Sequence, residues 1–165
     1  MSESTLILRQ YVPDDWTAVN KLSVRSAQQK FVATIDELFR KPKVHWRYHV
    51  IEVEDQIVGF FNLDLRYWVE YDFARSGEIG VRSFFIDRHH QGHGYATAAA
   101  LLLPNFVFAE YPKCPSLCLT VNCKNPSAYR CYNKAGFYDT QELYLGGSAG
   151  PQNIMRCSRA ERTTD

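Results

Sequence analysis

An α/β chain with a mixed, mostly antiparallel sheet and helices packed on it is predicted by three features of the sequence. Short runs of β-branched and aromatic residues recur between turn signals. An Ala- and Leu-rich helical stretch follows a strand and a two-glycine loop near the middle of the chain. The elements read in the order β-α-α-β-β-β-α-β-α-β-β, which is the pattern of one layered sheet.

Thr5-Leu-Ile-Leu-Arg-Gln10 reads as the first strand. Pro13-Asp14-Asp15 opens a helix through about Leu22, with acids in its first turn and proline near its start. Thr34 to Phe39 predicts a second short helix, stopped before Pro42. His49 to Val53 and Ile57 to Leu65 are strands, and only Glu54-Asp55-Gln56 separates them, so they form a hairpin. Glu78 to Ile86 is the next strand. Gly94 to about Phe108 is a helix, apolar on nearly every face and therefore expected to be buried, with Pro104 expected to kink it. Ser116 to Val121 is a strand with Leu117, Leu119 and Val121 on one face. Ser127 to Ala135 is a helix: Asn125 is its N-cap, Pro126 its first position, and Gly136 ends it. Tyr138 to Leu145 and Asn153 to Cys157 supply two closing strands.

The 165 residues fit one domain, 1–165, with no repeat and no linker. Hydrophobic residues at 45% are ample for a core, which excludes global disorder. Nineteen basic and eighteen acidic residues leave a net charge of +1, so a general nucleic-acid binder is not expected and any polyanion must be held by a local device. No apolar run approaches the roughly 18 residues of a membrane span, and Met1-Ser2-Glu3-Ser4 lacks a signal-peptide layout. Five cysteines, an odd count in a chain too large to need staples, predict free thiols and a cytoplasmic setting.

The informative stretch is Ile86-Asp-Arg-His-His-Gln91-Gly92-His93-Gly94-Tyr95-Ala96-Thr97. A helix N-terminus presents unpaired N–H groups and about half a positive charge, and glycines let that backbone approach an anion, with phosphate the expected guest. Taken alone, such glycines equally well make a tight strand-to-helix connection. A dinucleotide loop needs Gly or Ala where Thr97 stands, and a Walker loop needs Gly-Lys-Ser/Thr, which is absent.

Gln91-x-x-Gly94-x-Ala96 after an apolar strand resembles the (Gln/Arg)-x-x-Gly-x-(Gly/Ala) loop of the GNAT superfamily of acetyl-CoA-dependent N-acetyltransferases. Downstream, Val121-Asn122-x-x-Asn125-x-x-Ala128-x-x-x-Tyr132-x-x-x-Gly136-Phe137 is similar to that superfamily's Asn-plus-Tyr segment. The motifs cover Glu78 to Phe137, and the element order fits the GNAT fold from Thr5 to Cys157. The resemblance implies central strands splayed apart to admit acetyl-CoA as cosubstrate. The backbone of Gln91, Gly92, His93, Gly94, Tyr95, Ala96 and Thr97 would hold its pyrophosphate. The strand backbone of Phe84, Phe85 and Ile86 would pair with the pantetheine arm, and Asn125 would contact that arm while capping its helix.

The implied reaction is attack of a neutral amine on a thioester. Near pH 7 only roughly one alkyl amine in a thousand is neutral, so a base or desolvation must remove a proton. Tyr132 lies two helical turns after Asn125, where the family places its general acid. Some relatives carry a glutamate base at the position of Gly80, others at that of Thr120. Glu78 shares the strand parity of Gly80 and is the nominated base, with a water chain as the other reading. Gln28-Gln29-Lys30-Phe31-Val32-Ala33 and Phe84-Phe85-Ile86-Asp87 are similar to bacterial spermine/spermidine acetyltransferases. A polyamine would need a carboxylate-lined mouth, for which Asp36, Glu37, Glu70, Asp72 and Glu78 are candidates; solvated surface acids are the alternative.

The expected partner is therefore a small-molecule or peptide amine, with no nucleic acid, no membrane and a homodimer left open. A non-catalytic acetyl-CoA-binding regulatory module on the same fold is the alternative. Gly146-Gly-Ser-Ala-Gly150 matches a nucleophile elbow, but Pro151 follows at once and no histidine lies downstream, so it reads as a loop. His89, His90 and His93 with Cys114, Cys118 and Cys123 match no zinc spacing, and no metal is expected. Positive charge beside CoA phosphates is the simpler use of Arg88 and the histidines.

Overall fold

The computed structural model describes residues 5–159. Seven strands form one sheet in the order β1-β2-β3-β4-β5-β7-β6. They are β1 (Leu6–Gln10), β2 (Trp46–Val53), β3 (Gln56–Asp64), β4 (Ile79–Ile86), β5 (Ser116–Asn122), β6 (Tyr138–Tyr144) and β7 (Gln152–Ser158). Every neighbouring pair is antiparallel except β4 with β5, which run parallel. The β2–β3 hairpin turns on two residues, Glu54 and Asp55, both at positive φ (49° and 66°), the twist-matched geometry for a two-residue connection. The connection is thus one residue shorter than expected, because Gln56 pairs with Val53.

The helices are α1 (Trp16–Val19), α2 (Ile35–Arg40), α3 (Tyr67–Glu70), α4 (Tyr95–Glu110) and α5 (Pro126–Lys134). On one face α4 and α5 cover Ile51, Phe61, Leu63, Val81, Leu117, Leu119 and Val121. On the other, α1 and α2 cover Val50, Phe60 and Phe85, while Tyr67 of α3 packs with Cys118 and Ile154. The alternation along β4 and β5 follows the period of two that a strand imposes.

Four local expectations change. The first helix is shorter than Pro13–Leu22: a 3-10 turn at Pro13–Asp15 leads into α1, which ends at Val19 with Asn20 as its cap. Beyond it the Ser23 backbone is captured by the β4 end, its N–H donating to Asp87 Oδ1 (2.9 Å) and its C=O accepting from the Arg88 N–H (2.7 Å). Helix α4 is not buried all round, since Leu101 and Leu102 are half-exposed. It runs through Pro104 to Glu110. The 3-10 helix Ser26–Phe31 and the four residues of α3 were absent from the sequence reading.

Gly80 owes its identity to α3. A Cβ added there would come within 2.2–2.6 Å of the Tyr67 ring. Gly80→Ala is therefore an overpacking change, expected to cost about 1–3 kcal/mol and to lower the melting temperature by several degrees, read by circular dichroism.

Candidate active site

Strands β4 and β5 pair at only two positions, Ile79 with Leu117 and Gly80 with Cys118, and then part. Just beyond, β4 bulges: Ser83 has φ of +54°, and Ser83 and Phe84 together oppose Phe61 of β3. A bulge bends its strand and increases its twist, which aims the rest of β4 away from β5. From Val81 to Ile86 the β5 side of β4 has no strand partner.

The fork opens toward the loop before α4. Gly92 and Gly94 sit at φ of +86° and +78°, and an added Cβ at either meets no atom within 4 Å. Backbone conformation demands these glycines, and the space in front of them is open. Gly94 caps the 16-residue α4 without any side-chain hydrogen bond, so the first-turn N–H groups and the positive end of the helix face that space. Gln91 pins the loop: its Nε2 donates to Ile86 O (2.9 Å) and to Gln28 Oε1 (3.1 Å). Asp87 braces it from behind, accepting from the Ser23 and His89 amides and meeting His90 Nδ1 at 3.2 Å. Burial would raise the Asp87 carboxyl, but these donors outweigh it and hold its pKa below the ordinary value.

Across the fork, Asn125 caps α5 as its sequence predicts, its side chain accepting from the Ala128 N–H at 3.3 Å. Two turns on, Tyr132 is 9% exposed, with its ring edge-on to Phe84 (5.8 Å) and Phe137 (5.6 Å). Burial raises its hydroxyl pKa above the usual value.

A cavity of about 370 Å³ brings these elements together. Phe84, Phe85, Ile86, Gln91, Gly92, Gly94, Tyr95, Ala96, Thr97, Asn125 and Tyr132 all line it. His93 does not; its ring turns onto Tyr95 at 5.4 Å. Val24, Arg25, Gln28, Phe31 and Val32 also line it, none of them assigned to the cofactor site from sequence, together with His90, Ser127, Ala128 and Cys131. A 3-10 run has no amphipathic period to betray it; Gln28 ties it to Gln91, and Val24 and Val32 on either side pack against Val50, Phe60 and Phe85.

Glu78 is corrected by the structure. Its side chain has no exposed surface and does not line the cavity. Arg156 grips it through Nε to Oε2 (2.5 Å) and Nη2 to Oε1 (3.0 Å). The Ser116 hydroxyl (2.5 Å) and the Arg75 N–H (2.9 Å) also donate to it. Burial alone would raise its pKa, but these four bonds outweigh burial and leave it lowered. A sealed carboxylate with a depressed pKa is a structural anion, unsuited to receiving an amine's proton. Two more of the acids considered for a substrate mouth are paired as well: Asp36 with Arg40, and Glu70 with Arg82 and Lys43.

Comparison with known proteins places the chain. Residues 10–137 match the model of the acetyltransferase (GNAT) family. The chain belongs to that family. It is 28% identical over 148 residues to the uncharacterized N-acetyltransferase YbbJ of Bacillus subtilis (strain 168), covering 88% of this chain and 92% of the relative. It is 28% identical over 137 residues to a probable spermine N(1)-acetyltransferase of Bacillus subtilis subsp. natto (strain BEST195), covering 81% and 88%. Among solved structures, aminoglycoside acetyltransferase AAC(6')-Ib with ribostamycin and coenzyme A superposes with a TM-score of 0.78 at 20% identity, over 98% of each chain. Spermidine N-acetyltransferase from Vibrio cholerae with CoA and spermine gives 0.69 at 19%, over 94% and 96%. The protein is an acetyl-CoA-dependent N-acetyltransferase. The open glycine cradle, the helix end and the unpaired strand edge fit that cosubstrate. Among the described residues no helix is long and apolar enough to cross a membrane.

Glu78→Gln separates structure from catalysis. It leaves Arg156 buried against a neutral partner, a loss of about 3–5 kcal/mol, expected as a fall in melting temperature on the order of 10 °C with near-parental turnover in the folded fraction. Because the folded pKa of Glu78 is lowered, its contribution is present above the unfolded value of 4.5 and lost as pH falls through the folded value. The parent should therefore lose stability below about pH 4.5, and thermal melts of both proteins from pH 3 to 7 should show the gap between them narrowing toward acid.

Proposed function

We propose that the protein transfers the acetyl group of acetyl-CoA to the neutral primary amine of a small molecule or peptide by direct attack, with Tyr132 as general acid. The observation that carries this reading is one cavity lined by the glycine loop, the unpaired β4 edge and the Tyr132 side chain. Acetyl-CoA supplies the acyl thioester. The backbone from Gly92 to Thr97 binds its pyrophosphate, Phe84 to Ile86 hold the pantetheine arm along the strand edge, and Asn125 contacts that arm from the end of α5.

Tyr132 keeps its proton because burial raises its pKa. The leaving thiol has a pKa near 8.5, below that of any tyrosine, so complete proton transfer to sulfur is uphill. As general acid the hydroxyl therefore shares its proton with sulfur in the transition state, through a hydrogen bond that strengthens as negative charge grows there, and the departed thiolate then equilibrates with water. Such a bond is worth most in the transition state. A polyamine acceptor is a second reading, favoured by the spermine acetyltransferase relative. The ion pairs of Asp36 and Glu70 weaken it, because they remove free negative charge from the surface.

Gly94→Val tests the loop. It forces a β-branched residue to a φ of +78° and sets methyl groups in front of the helix end. Acetyl-CoA affinity should fall tenfold or more, about 1.4 kcal/mol, by calorimetry on the folded variant; unchanged affinity removes the pyrophosphate assignment.

Tyr132→Phe tests the acid. Turnover should fall by roughly 10² to 10⁴ while acetyl-CoA affinity stays within twofold, because the lost bond belongs to the transition state. A tyrosine that only packs would give lower stability and normal turnover, and a module that merely binds acetyl-CoA would show no amine-dependent thiol release in the parent.

A further inference from the structure

The acceptor must reach the acyl carbon from the face of the fork away from α4 and α5. Their side holds the glycine loop and Tyr132, and attacking and leaving groups occupy different corners of a tetrahedral carbon. On that opposite face the two strands present Gly80, Arg82, Cys118 and Thr120, since Val81, Leu119 and Val121 lie in the core beneath α4. Tyr67 floors the fork there. Its ring fills the place of a Gly80 side chain, and its hydroxyl meets the Thr120 side chain. Burial holds that hydroxyl well above the usual tyrosine pKa, so it stays a neutral donor at physiological pH.

The charged groups of this face are spent on one another. Arg82 donates to Asp64 Oδ2 and to Glu70 Oε2, both at 2.9 Å, and to the Tyr71 hydroxyl at 3.0 Å. Its guanidinium also lies over the rings of Trp46, Tyr67 and Tyr71 at 5.4, 5.9 and 5.3 Å. Glu70 takes Lys43 as well (3.3 Å), and buried Asp64 has His45 Nε2 at 3.6 Å. Below the fork Glu78 is sealed by Arg156, beside the Cys118 thiol, whose pKa burial pushes up to about 12. The 3-10 turn Ser26–Phe31 and the residue before it bring one charged side chain to the cavity, Arg25, which is positive. Among the described residues, the cavity lining contains no Asp or Glu. Asp72 and Glu37 are exposed, where water and salt screen them. The remaining polar groups on this face are neutral, including Trp46 Nε1 and the Asn62 carboxamide, buried with no hydrogen-bond partner.

Among the described residues, the cavity lining holds no carboxylate, and Asp64, Glu70 and Glu78 are each taken by an arginine, so none of these is free to hold an ammonium or to take its proton. We infer that the acceptor is a weakly basic amine that enters already neutral, of the kind found as the α-amino group of an amino-acid amide or peptide, in preference to an alkylammonium or polyammonium. This rests on the acetyl-transfer reading above. The amine lone pair forms the C–N bond as the C–S bond breaks; the surplus proton on nitrogen leaves to water, and sulfur departs as the thiol or thiolate. At pH 7 roughly one α-amino group in ten is neutral, against roughly one alkyl amine in a thousand.

The test uses the full chain with saturating acetyl-CoA and two acceptors of similar shape, phenylalaninamide and phenethylamine, reading thiol release from pH 6 to 10. For each amine kcat/KM should climb about tenfold per pH unit toward that amine's own pKa, about 8 for the amide and about 10 for phenethylamine. At pH 7 the amide should be favoured tenfold or more. A flat kcat/KM for phenethylamine between pH 6 and 9 overturns the inference and leaves acetyl transfer standing, because it means that the enzyme itself deprotonates the ammonium. No thiol release with phenylalaninamide at any pH, while spermidine or an aminoglycoside supports release, also overturns the inference and leaves acetyl transfer standing; no release with any of these amines, while acetyl-CoA still binds, overturns the inference together with the proposed reaction.

Discussion

The whole site depends on how little β4 and β5 touch. Among the described residues, two pairs, Ile79 with Leu117 and Gly80 with Cys118, are the only ladder between the two halves of the sheet. A fork this shallow would be expected to close or to tear without a clamp. The clamp is ionic at one side: Glu78, just before β4, is bonded to Arg156 of β7 and Ser116 of β5, so three consecutive segments share one buried carboxylate. It is aromatic at the other side, where Tyr67 lies across Gly80 and reaches β5. Buried ion pairs seldom add stability over well-packed apolar residues, but losing one partner is costly. Here the pair sits where β4 and β5 still touch, and the point at which they part sets the mouth of the cleft.

Beyond the clamp, the features that open the cleft are mostly backbone. The bulge at Ser83 turns β4 outward, the β5 side of β4 carries no strand partner, and α4 begins at a glycine cap with open space before it. None of these features requires a charged side chain. A chain of net charge +1 can thus hold a polyanionic cosubstrate through amide N–H groups and a helix end. The side chains around the loop, Gln91, Asp87 and Gln28, orient that backbone and each other.

Much of this was legible in the sequence because it is encoded locally. Strands with period two, the Asn125-Pro126 start of α5, and glycines where φ is positive each follow from neighbours in the chain. The glycine loop before α4 was readable for the same reason: its conformation is set within a few residues. What was not legible depends on partners far away. Glu78 passed for a base because strand parity says which side a residue faces and nothing about Arg156, 78 positions later. The 3-10 turn at Ser26–Phe31 has no period of its own and is tied down through Gln28–Gln91, 63 positions apart. Gly80 gave a local signal, a strand glycine marking close approach, but the approaching Tyr67 ring could not be named from it.

The same long-range pairing explains an apparent mismatch between composition and site. Acids are plentiful in the sequence, and several fall near the fork in order along the chain, which is why an acidic mouth is a natural expectation. In the folded chain Asp64, Glu70 and Glu78 each face an arginine. A carboxylate bonded to arginine has its field largely cancelled beyond a few ångströms and its proton affinity lowered, as Glu70 and Glu78 both show although burial works the other way. Counting acids near a site therefore overstates its negative potential whenever arginines are interleaved with them. What decides the chemistry is the charge left after internal pairing, and on the acceptor face of this fork that remainder is small. The setting there is largely neutral and aromatic, and burial in it keeps tyrosine hydroxyls protonated and would disfavour an unpaired ammonium.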